Sequence, residues 1–136
     1  MLRSQSGQLA AVALAGLVAA ACAGGVGSSA GLPTHKDLNG YPAALLEATL
    51  VREECLYAQA SDGNGKWLPV WPSGFGLSGD VVMKGGQRIA AVGDRVKLGG
   101  GEYQDSEYAF LRSLMTADVP SACRGGDYWL VGRVVS

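Results

Sequence analysis

Three observations predict that most of this 136-residue chain folds as one small, mainly β domain. Short segments rich in β-branched and aromatic residues recur after residue 43, some with alternating polar and apolar side chains. Gly-rich turns of two to four residues separate these segments. Only one stretch has the apolar spacing of a helix. At about 100–200 residues per domain, the length allows one domain and a targeting segment.

The first strands are predicted at residues 45–53 and 55–60. The run Asp62-Gly63-Asn64-Gly65 is a strong turn signal, and it predicts a hairpin between the second strand and residues 66–71. Pro69 has no N–H to donate to a neighbouring strand. We therefore expect the strand at 66–71 to lie at a sheet edge or to carry a bulge.

A second hairpin is predicted where strands at 80–84 and 87–92 flank the two-residue turn Gly85-Gly86. Residues 95–98 alternate basic and apolar side chains, which is typical of a half-buried strand. The glycine run at 99–101 is expected to end that strand.

One helix is predicted at residues 106–116, with Asp105 or Ser106 as its cap. Its apolar stripe consists of Phe110, Leu111, Leu114 and Met115. The last strand is predicted at residues 128–135, an apolar run that belongs near the centre of the sheet. These elements favour a small OB-like or other small β-barrel with one short helix before the last strand, and a small β-sandwich is the alternative.

The composition excludes several functions. The 11 basic and 12 acidic residues leave a net charge of −1, which provides no electrostatic footprint for nucleic acid. One histidine and three widely separated cysteines offer little to a metal cluster. We therefore expect no cofactor, no metal and no nucleic-acid partner.

The first 21 residues have the pattern of a signal peptide. Arg3 precedes an apolar stretch at 9–21, which as a helix would cover about 20 Å, less than a hydrocarbon core of about 30 Å. Residues 17–22 (LVAAAC) resemble a bacterial lipobox, although Ala19 stands where leucine is usual. We predict that Cys22 is lipidated and anchors the chain to the extracytoplasmic face of a bacterial membrane. A soluble periplasmic or secreted protein and an uncleaved anchor are the alternatives.

The Gly-, Ser- and Ala-rich sequence after Cys22 predicts a flexible tether at residues 22–42 and a single β domain at 43–136. If Cys22 carries lipid, Cys55 and Cys123 form the only internal pair of cysteines. An exported location favours a structural disulfide between them over a redox pair, since redox cysteines usually occur as C-x-x-C.

Several runs resemble those of a class of small, uncharacterised bacterial envelope lipoproteins. They are Cys55-Leu56-Tyr57, WLPVWP at residues 67–72 and VGDRVKLGGG at residues 92–101. The resemblance covers roughly residues 46–132. It implies a compact extracytoplasmic β domain and assigns no catalytic residue.

Trp67, Trp71 and Phe75 are the candidate ligand-binding residues. The sequence from Trp71 to Gly79 predicts a loop on the barrel rim, and loops on a rigid scaffold often carry binding residues. Aromatic rings there could contact a cell-wall glycan or an envelope protein. Core packing is the alternative, and it is our expectation for Trp129.

No residue is assigned a catalytic role. His35, the sole imidazole, lies in the predicted tether, where it could not hold a fixed proton-transfer geometry. The G-x-G-x-x-G spacing at residues 74–79 precedes a strand and lacks the helix that a dinucleotide site requires. Asp94 and Asp127 each follow a glycine and are expected to stabilise turns.

The leading hypothesis is a non-catalytic, membrane-tethered binding or accessory module of the bacterial envelope. One alternative is an envelope enzyme that acts on carbohydrate through a carboxylate pair such as Asp94 and Glu102. A purely structural envelope protein is the other alternative.

Overall fold

The computed structural model describes residues 31–135, and that part of the chain contains ten strands and one short α-helix. The strands are β1 (Thr34–His35), β2 (Ala44–Arg52), β3 (Leu56–Ala60), β4 (Lys66–Pro72), β5 (Phe75–Ser78), β6 (Val81–Lys84), β7 (Gln87–Ala91), β8 (Arg95–Tyr103), β9 (Met115–Ala117) and β10 (Asp127–Val135). The helix α1 spans Tyr108–Ser113, and 3-10 turns lie at Asp105–Glu107 and Ser121–Cys123. No helix in this range is long and apolar enough to cross a bilayer. The predicted signal peptide at 1–21 and the lipidation site Cys22 lie outside the described residues.

Five strands close into a barrel in the order β2–β3–β4–β10–β8, with β8 pairing back to β2. All neighbours run antiparallel except β4 and β10, which pair in parallel. If the five barrel strands are numbered by their order in the chain, they follow one another around the barrel as 1–2–3–5–4. This Greek-key arrangement matches an OB-like barrel. The predicted mainly β barrel with one short helix before the last strand is confirmed.

β4 has partners on both edges, so the expectation of an edge strand at Pro69 is wrong. β10 lies along one edge, while β3 pairs with Lys66 and Trp67 on the other. From Trp71 onward this second edge pairs with β1, and the Trp71 N–H donates to the carbonyl of Pro33. The backbone nitrogen of Pro69 faces this second edge of β4, at the gap between β3 and β1. Its missing N–H therefore costs no hydrogen bond between strands.

The glycine run at residues 99–101 lies inside β8, contrary to the expectation that it ends the strand. These glycines pair with β10 and continue the pairing with β2. A Cβ at Gly100, whose φ is +156°, would lie 1.8 Å from the carbonyl oxygen of Leu130. A Cβ at Gly101 would lie 2.7 Å from Cγ of Pro42. The glycines therefore permit a close approach of neighbouring chain segments.

β5, β6 and β7 form a separate antiparallel sheet that packs on the barrel. Gly85-Gly86, with φ values of +56° and +82°, makes the predicted two-residue turn between β6 and β7. Leu77, Val82 and Ala90 of this sheet are buried in the same hydrophobic cluster as the inward-facing barrel residues. The small sheet thus extends the barrel core.

A second hydrophobic cluster lies on the outer face of β4 and β10, beneath the segment that joins β8 to β10. Tyr128 and Leu130 of β10 belong to this outer cluster, while Trp129 belongs to the barrel interior. The outer cluster contains a disulfide between Cys55 and Cys123, with Cα atoms 6.4 Å apart. The predicted disulfide is confirmed, and it joins the β2–β3 loop to the β8–β10 connection.

The helix is shorter than the predicted span of residues 106–116. It ends at Ser113 because Met115–Ala117 is extended as β9, which pairs with β1. The helix residue Leu111 is fully buried, as expected from the apolar stripe. Phe110, another member of that stripe, is instead 57% exposed.

The folded domain begins earlier than the predicted boundary at residue 43. β1 lies between β4 and β9, and its residues Thr34 and His35 are buried. Thr34 Oγ1 is 2.7 Å from Thr116 Oγ1 of β9. The predicted tether at 22–42 is therefore wrong for residues 32–35. The sequence did not reveal β1, because a strand of two residues is too short to show a periodic pattern.

Removing the disulfide with the double change Cys55→Ser and Cys123→Ser should lower the free energy of unfolding by about 2–4 kcal/mol. The crosslink joins residues 68 positions apart, so its loss releases a long loop in the unfolded chain. Denaturant unfolding under non-reducing conditions measures this difference, with the reduced parent chain as the control. An unchanged unfolding free energy would contradict the structural role.

Gly100→Ala should destabilise the fold by about 3 kcal/mol or more, because the Leu130 carbonyl occupies the space of the new methyl group. The matched control is Gly76→Ala on β5, where an added Cβ meets no atom within 4 Å. That control should cost less than about 1 kcal/mol. Denaturant unfolding compares the two variants, and equal losses would show that backbone contact is not what requires Gly100.

Candidate functional site

A groove of about 590 Å³ lies between the β6–β7 hairpin, the end of β10 and the N-terminal segment of the domain. We call it the Arg133 groove. Its charged and aromatic lining residues are Asp37, Tyr41, Phe75, Lys84, Arg88 and Arg133. Its volume falls within the range of small-ligand sites, about 300–1,000 Å³. Three cations and one carboxylate give it a positive charge.

Phe75 forms a fixed part of the groove wall. Its ring stacks on Trp71, with centroids 5.7 Å apart and an angle of 26° between the planes. Lys84 Nζ lies over the Phe75 ring, 5.4 Å from its centroid. Because the ring already contacts Trp71 and Lys84, its role in the groove is to hold the lysine ammonium in place.

The cations of the groove differ in their partners. Arg88 forms a salt bridge to Asp94, with 3.1 Å between the guanidinium nitrogen and the carboxylate oxygen. Asp94 also accepts a hydrogen bond from the backbone N–H of Ala91, which confirms its predicted place in a turn. Lys84 and Arg133 form no salt bridge with any residue in the described range 31–135. These two side chains remain available to an anion.

Two glycines allow the groove wall to form. A Cβ at Gly132 would lie 2.6 Å from Cγ of Tyr41, so the tyrosine ring lies directly on the backbone of β10. A Cβ at Gly99 would lie 3.0 Å from Cγ of Arg133, so the arginine stem crosses the backbone of β8. The pairing of β8 and β10 is irregular between Val131 and Arg133.

A smaller cavity of about 300 Å³ lies on the other side of Tyr41. It shares Tyr41, Gly132 and Arg133 with the Arg133 groove and continues toward Pro42 and Gly99. The two cavities therefore flank one tyrosine ring and share one arginine.

The predicted binding residues do not form one site. Trp71 lies in β4 and is fully buried, so the expectation that it stands at an exposed rim loop is wrong. It points into the barrel core, because alternate residues of β4 face inward and Trp71 is one of them. Phe75 lines the Arg133 groove, as a wall residue beside Trp71. Whether Phe75 contacts a ligand stays a prediction.

Trp67 is partly exposed and lies beside a different cavity, which also includes Leu45 and Asn64. Its indole N–H donates to Glu102 Oε2 at 2.9 Å, and its ring packs edge-on against Trp129. Trp129 is buried in the barrel core, as expected. A ligand role for Trp67 also stays a prediction, separate from that of Phe75.

The basic residues of the groove were not among those predicted from the sequence to bind a ligand. Lys84 and Arg88 flank Gly85-Gly86, so their proximity could have been inferred from the hairpin. Arg133 interrupts an otherwise apolar final strand, which is a further signal of an exposed or functional position. Nothing in the sequence shows that these elements meet, because the contact depends on barrel closure.

His35 lies inside the domain rather than in a tether. Its ring is fully buried, with Nδ1 2.7 Å from the carbonyl oxygen of Lys36 and Nε2 2.7 Å from that of Val131. A neutral imidazole carries one N–H, so it donates to one of these oxygens, whereas an imidazolium could donate to both. The ring connects β1 to β10.

The predicted carboxylate pair is not brought together. Asp94 precedes β8 and Glu102 lies near its other end, eight residues later, which corresponds to about 26 Å of extended strand. Glycoside hydrolysis requires carboxylates about 5–10 Å apart. Within residues 31–135, no group of three His, Cys, Asp or Glu side chains is placed to hold a metal ion.

A second polar cluster, centred on Asp105, joins the β8–β10 connection to β10. The Tyr128 hydroxyl donates to Asp105 Oδ1, and so does the backbone N–H of Gly125, at 3.2 Å. Arg124 Nε donates to the Tyr128 oxygen at 3.1 Å, and its guanidinium lies 3.5 Å from the ring centroid of Tyr108. The helix cap expected from Asp105 or Ser106 is not found: the N-cap residue of α1 is Glu107, which makes no side-chain capping hydrogen bond to α1. Its carboxylate instead accepts from the Gln104 N–H at 2.9 Å, across the preceding 3-10 turn.

These contacts shift two pKa values in opposite directions. The hydroxyl of Tyr128, above all, lowers the pKa of the Asp105 carboxyl, and Gly125 and Arg124 act in the same direction. Burial raises the pKa of Tyr128, and its hydrogen bond to Asp105 adds to this. The groups satisfy one another, so the cluster stabilises the connection and leaves no polar group directed at a ligand.

In comparisons with known proteins, no family model, no curated protein and no solved structure matches this chain.

The Asp105 cluster should make stability sensitive to acid. Since the folded-state pKa of Asp105 is lowered, its contribution is present above the unfolded value of about 3.9 and is lost as pH falls through the folded value. Asp105→Asn should therefore unfold more easily than the parent chain at neutral pH, and the difference should narrow in acid. Denaturant unfolding across this pH range measures it, with Glu54→Gln as a carboxylate control outside the cluster. A difference that stays constant with pH would contradict this role.

Proposed function

We propose that the chain is a non-catalytic binding or accessory module, held on the extracytoplasmic face of a bacterial membrane by lipid at Cys22. The signal-peptide pattern at residues 1–21 and the lipobox-like run before Cys22 support the location. The confirmed disulfide agrees with an exported protein, because disulfides persist in oxidising compartments. With Cys55 and Cys123 paired, Cys22 is the cysteine left for lipidation.

The Arg133 groove is the observation that carries the binding function. Its wall is held in place by the Trp71–Phe75 stack and by Tyr41 on Gly132, so the cavity exists before a ligand arrives. Lys84 and Arg133 line it without a salt-bridge partner among the described residues. A purely structural protein has no evident use for two such cations in a cavity.

The chemistry of the lining supports binding without catalysis. Asp37 is the single carboxylate among the described groove residues, which include no His, Cys or Ser. A Ser–His or Cys–His nucleophile–base pair is therefore not found among these residues. The enzyme alternative through Asp94 and Glu102 gains no support from their separation along β8.

Cys22→Ser tests the proposed anchor in the organism's own envelope. We expect the parent chain to stay with membranes through a high-salt wash, which removes electrostatic contacts, and the variant to be released into the soluble extracytoplasmic fraction. Ser28→Ala is the matched control, since it changes the tether and leaves the lipidation site intact. Mass spectrometry of the mature N-terminus should show a lipid-modified Cys22. An unmodified N-terminus, or a variant that stays with the membrane, would contradict the anchor.

A further inference from the structure

We propose that the Arg133 groove binds the phosphate of anionic phospholipid headgroups in the membrane to which the chain is tethered. This inference deepens the proposed function and relies on it for one condition, that the domain is held close to the bilayer. The ligand class follows from the charges in the groove, and the lipid source follows from where the chain leaves the domain.

The positive charge of the groove is local. Residues 31–136 contain 10 basic and 12 acidic residues, so the domain as a whole has no attraction for an anionic surface. The groove nevertheless carries Lys84 and Arg133, which form no salt bridge among the described residues, against the carboxylate of Asp37, while Asp94 offsets the charge of Arg88. Binding of an anion is therefore expected at this face in particular.

Two cations of the groove, Arg133 and Lys84, carry donors suited to a phosphate. An arginine guanidinium presents a planar fork of donors that matches phosphate oxygens, while a lysine ammonium acts as a point charge. Arg133 stands on the barrel side of the groove, and Lys84 stands on the hairpin side over the Phe75 ring. Arg88 is paired with Asp94, so its charge is largely offset, and the two unpaired cations carry the anion site.

The groove lies beside the point at which the chain leads to the predicted anchor. Phe75 lines the Arg133 groove and also a neighbouring cavity that contains Gly31 and Leu32. Nine residues, 23–31, stand between Cys22 and the domain, and a chain of nine residues reaches about 30 Å at full extension. A lipid at Cys22 would keep this face near the headgroup layer. This proximity favours a phospholipid over a soluble phosphate compound.

Vesicle sedimentation tests the inference on the full chain carrying Cys22→Ser, so that no covalent lipid contributes. The two vesicle types are phosphatidylcholine alone and a mixture of phosphatidylcholine with phosphatidylglycerol. The measured quantity is the extra binding caused by phosphatidylglycerol, because any insertion of the N-terminal segment contributes to binding of both vesicle types. We expect clear extra binding that weakens as salt is added.

The decisive variant is Lys84→Gln with Arg133→Gln. Each cation near an anionic surface contributes about five-fold in binding, so the pair should weaken the phosphatidylglycerol-dependent binding by at least about ten-fold. The matched control is Arg95→Gln with Lys97→Gln, which removes the same charges from exposed positions on β8 outside the groove. The control should keep most of the binding. Thermal unfolding checks that both variants remain folded.

Three results would overturn the inference. The first is an equal loss of binding in the two double variants, and the second is no extra binding by the parent chain. The third is that glycerol phosphate alone saturates the groove while phosphatidylglycerol vesicles do not bind, which would identify a soluble phosphate ligand. Failure of the anchor appears separately, as membrane retention of Cys22→Ser, and leaves the vesicle result interpretable.

Discussion

The parallel pairing of β4 with β10 is the contact on which the rest of the structure depends. It is the one parallel contact in the barrel, and it joins the third barrel strand to the last one, far apart in the chain. This register directs Trp129 and Val131 into the barrel core and directs Tyr128 and Leu130 outward. Because the outward residues form the floor of the second cluster, they allow the β8–β10 connection to pack.

The same pairing sets the position of the groove. β10 pairs with β4 only through Leu130, and beyond that residue it continues beside β8 alone. The freed edge carries Gly132 and Arg133, which provide a surface for Tyr41 and a cation for the groove. The connection between β4 and β8 supplies the facing wall, with Phe75 and Lys84. The groove is therefore a consequence of barrel closure rather than of one local motif.

Features that follow from turn chemistry or from the cysteine count could be predicted from the sequence, and features that depend on how distant strands meet could not. The Gly85-Gly86 turn and the Cys55–Cys123 bridge follow from turn chemistry and cysteine pairing. The glycine run in β8 has the composition of a strand end, and only the approach of Leu130 shows why it lies inside a strand. The strand β1 has only two residues, so it shows no alternation of polar and apolar side chains that would predict it.

The candidate site was harder to predict than the fold. Trp71 attracted attention as an aromatic residue before a Gly-rich segment, but it is a core residue whose ring supports Phe75. The cations that line the groove lie on β6, β7 and β10, and no spacing in the sequence connects the hairpin of Lys84 and Arg88 with Arg133. Their juxtaposition requires the small sheet to pack beside the end of β10.

The most direct measurement is a set of backbone amide NMR shifts while short-chain phosphatidylglycerol is added to the chain carrying Cys22→Ser. We expect shifts concentrated around Lys84, Arg88 and Gly132–Val134, with little change around Arg95 and Lys97. Equal addition of phosphatidylcholine should leave the groove signals unchanged. Shifts centred on the cavity beside Trp67, or no shift at Arg133, would contradict the central claim that the Arg133 groove is the anion-binding site.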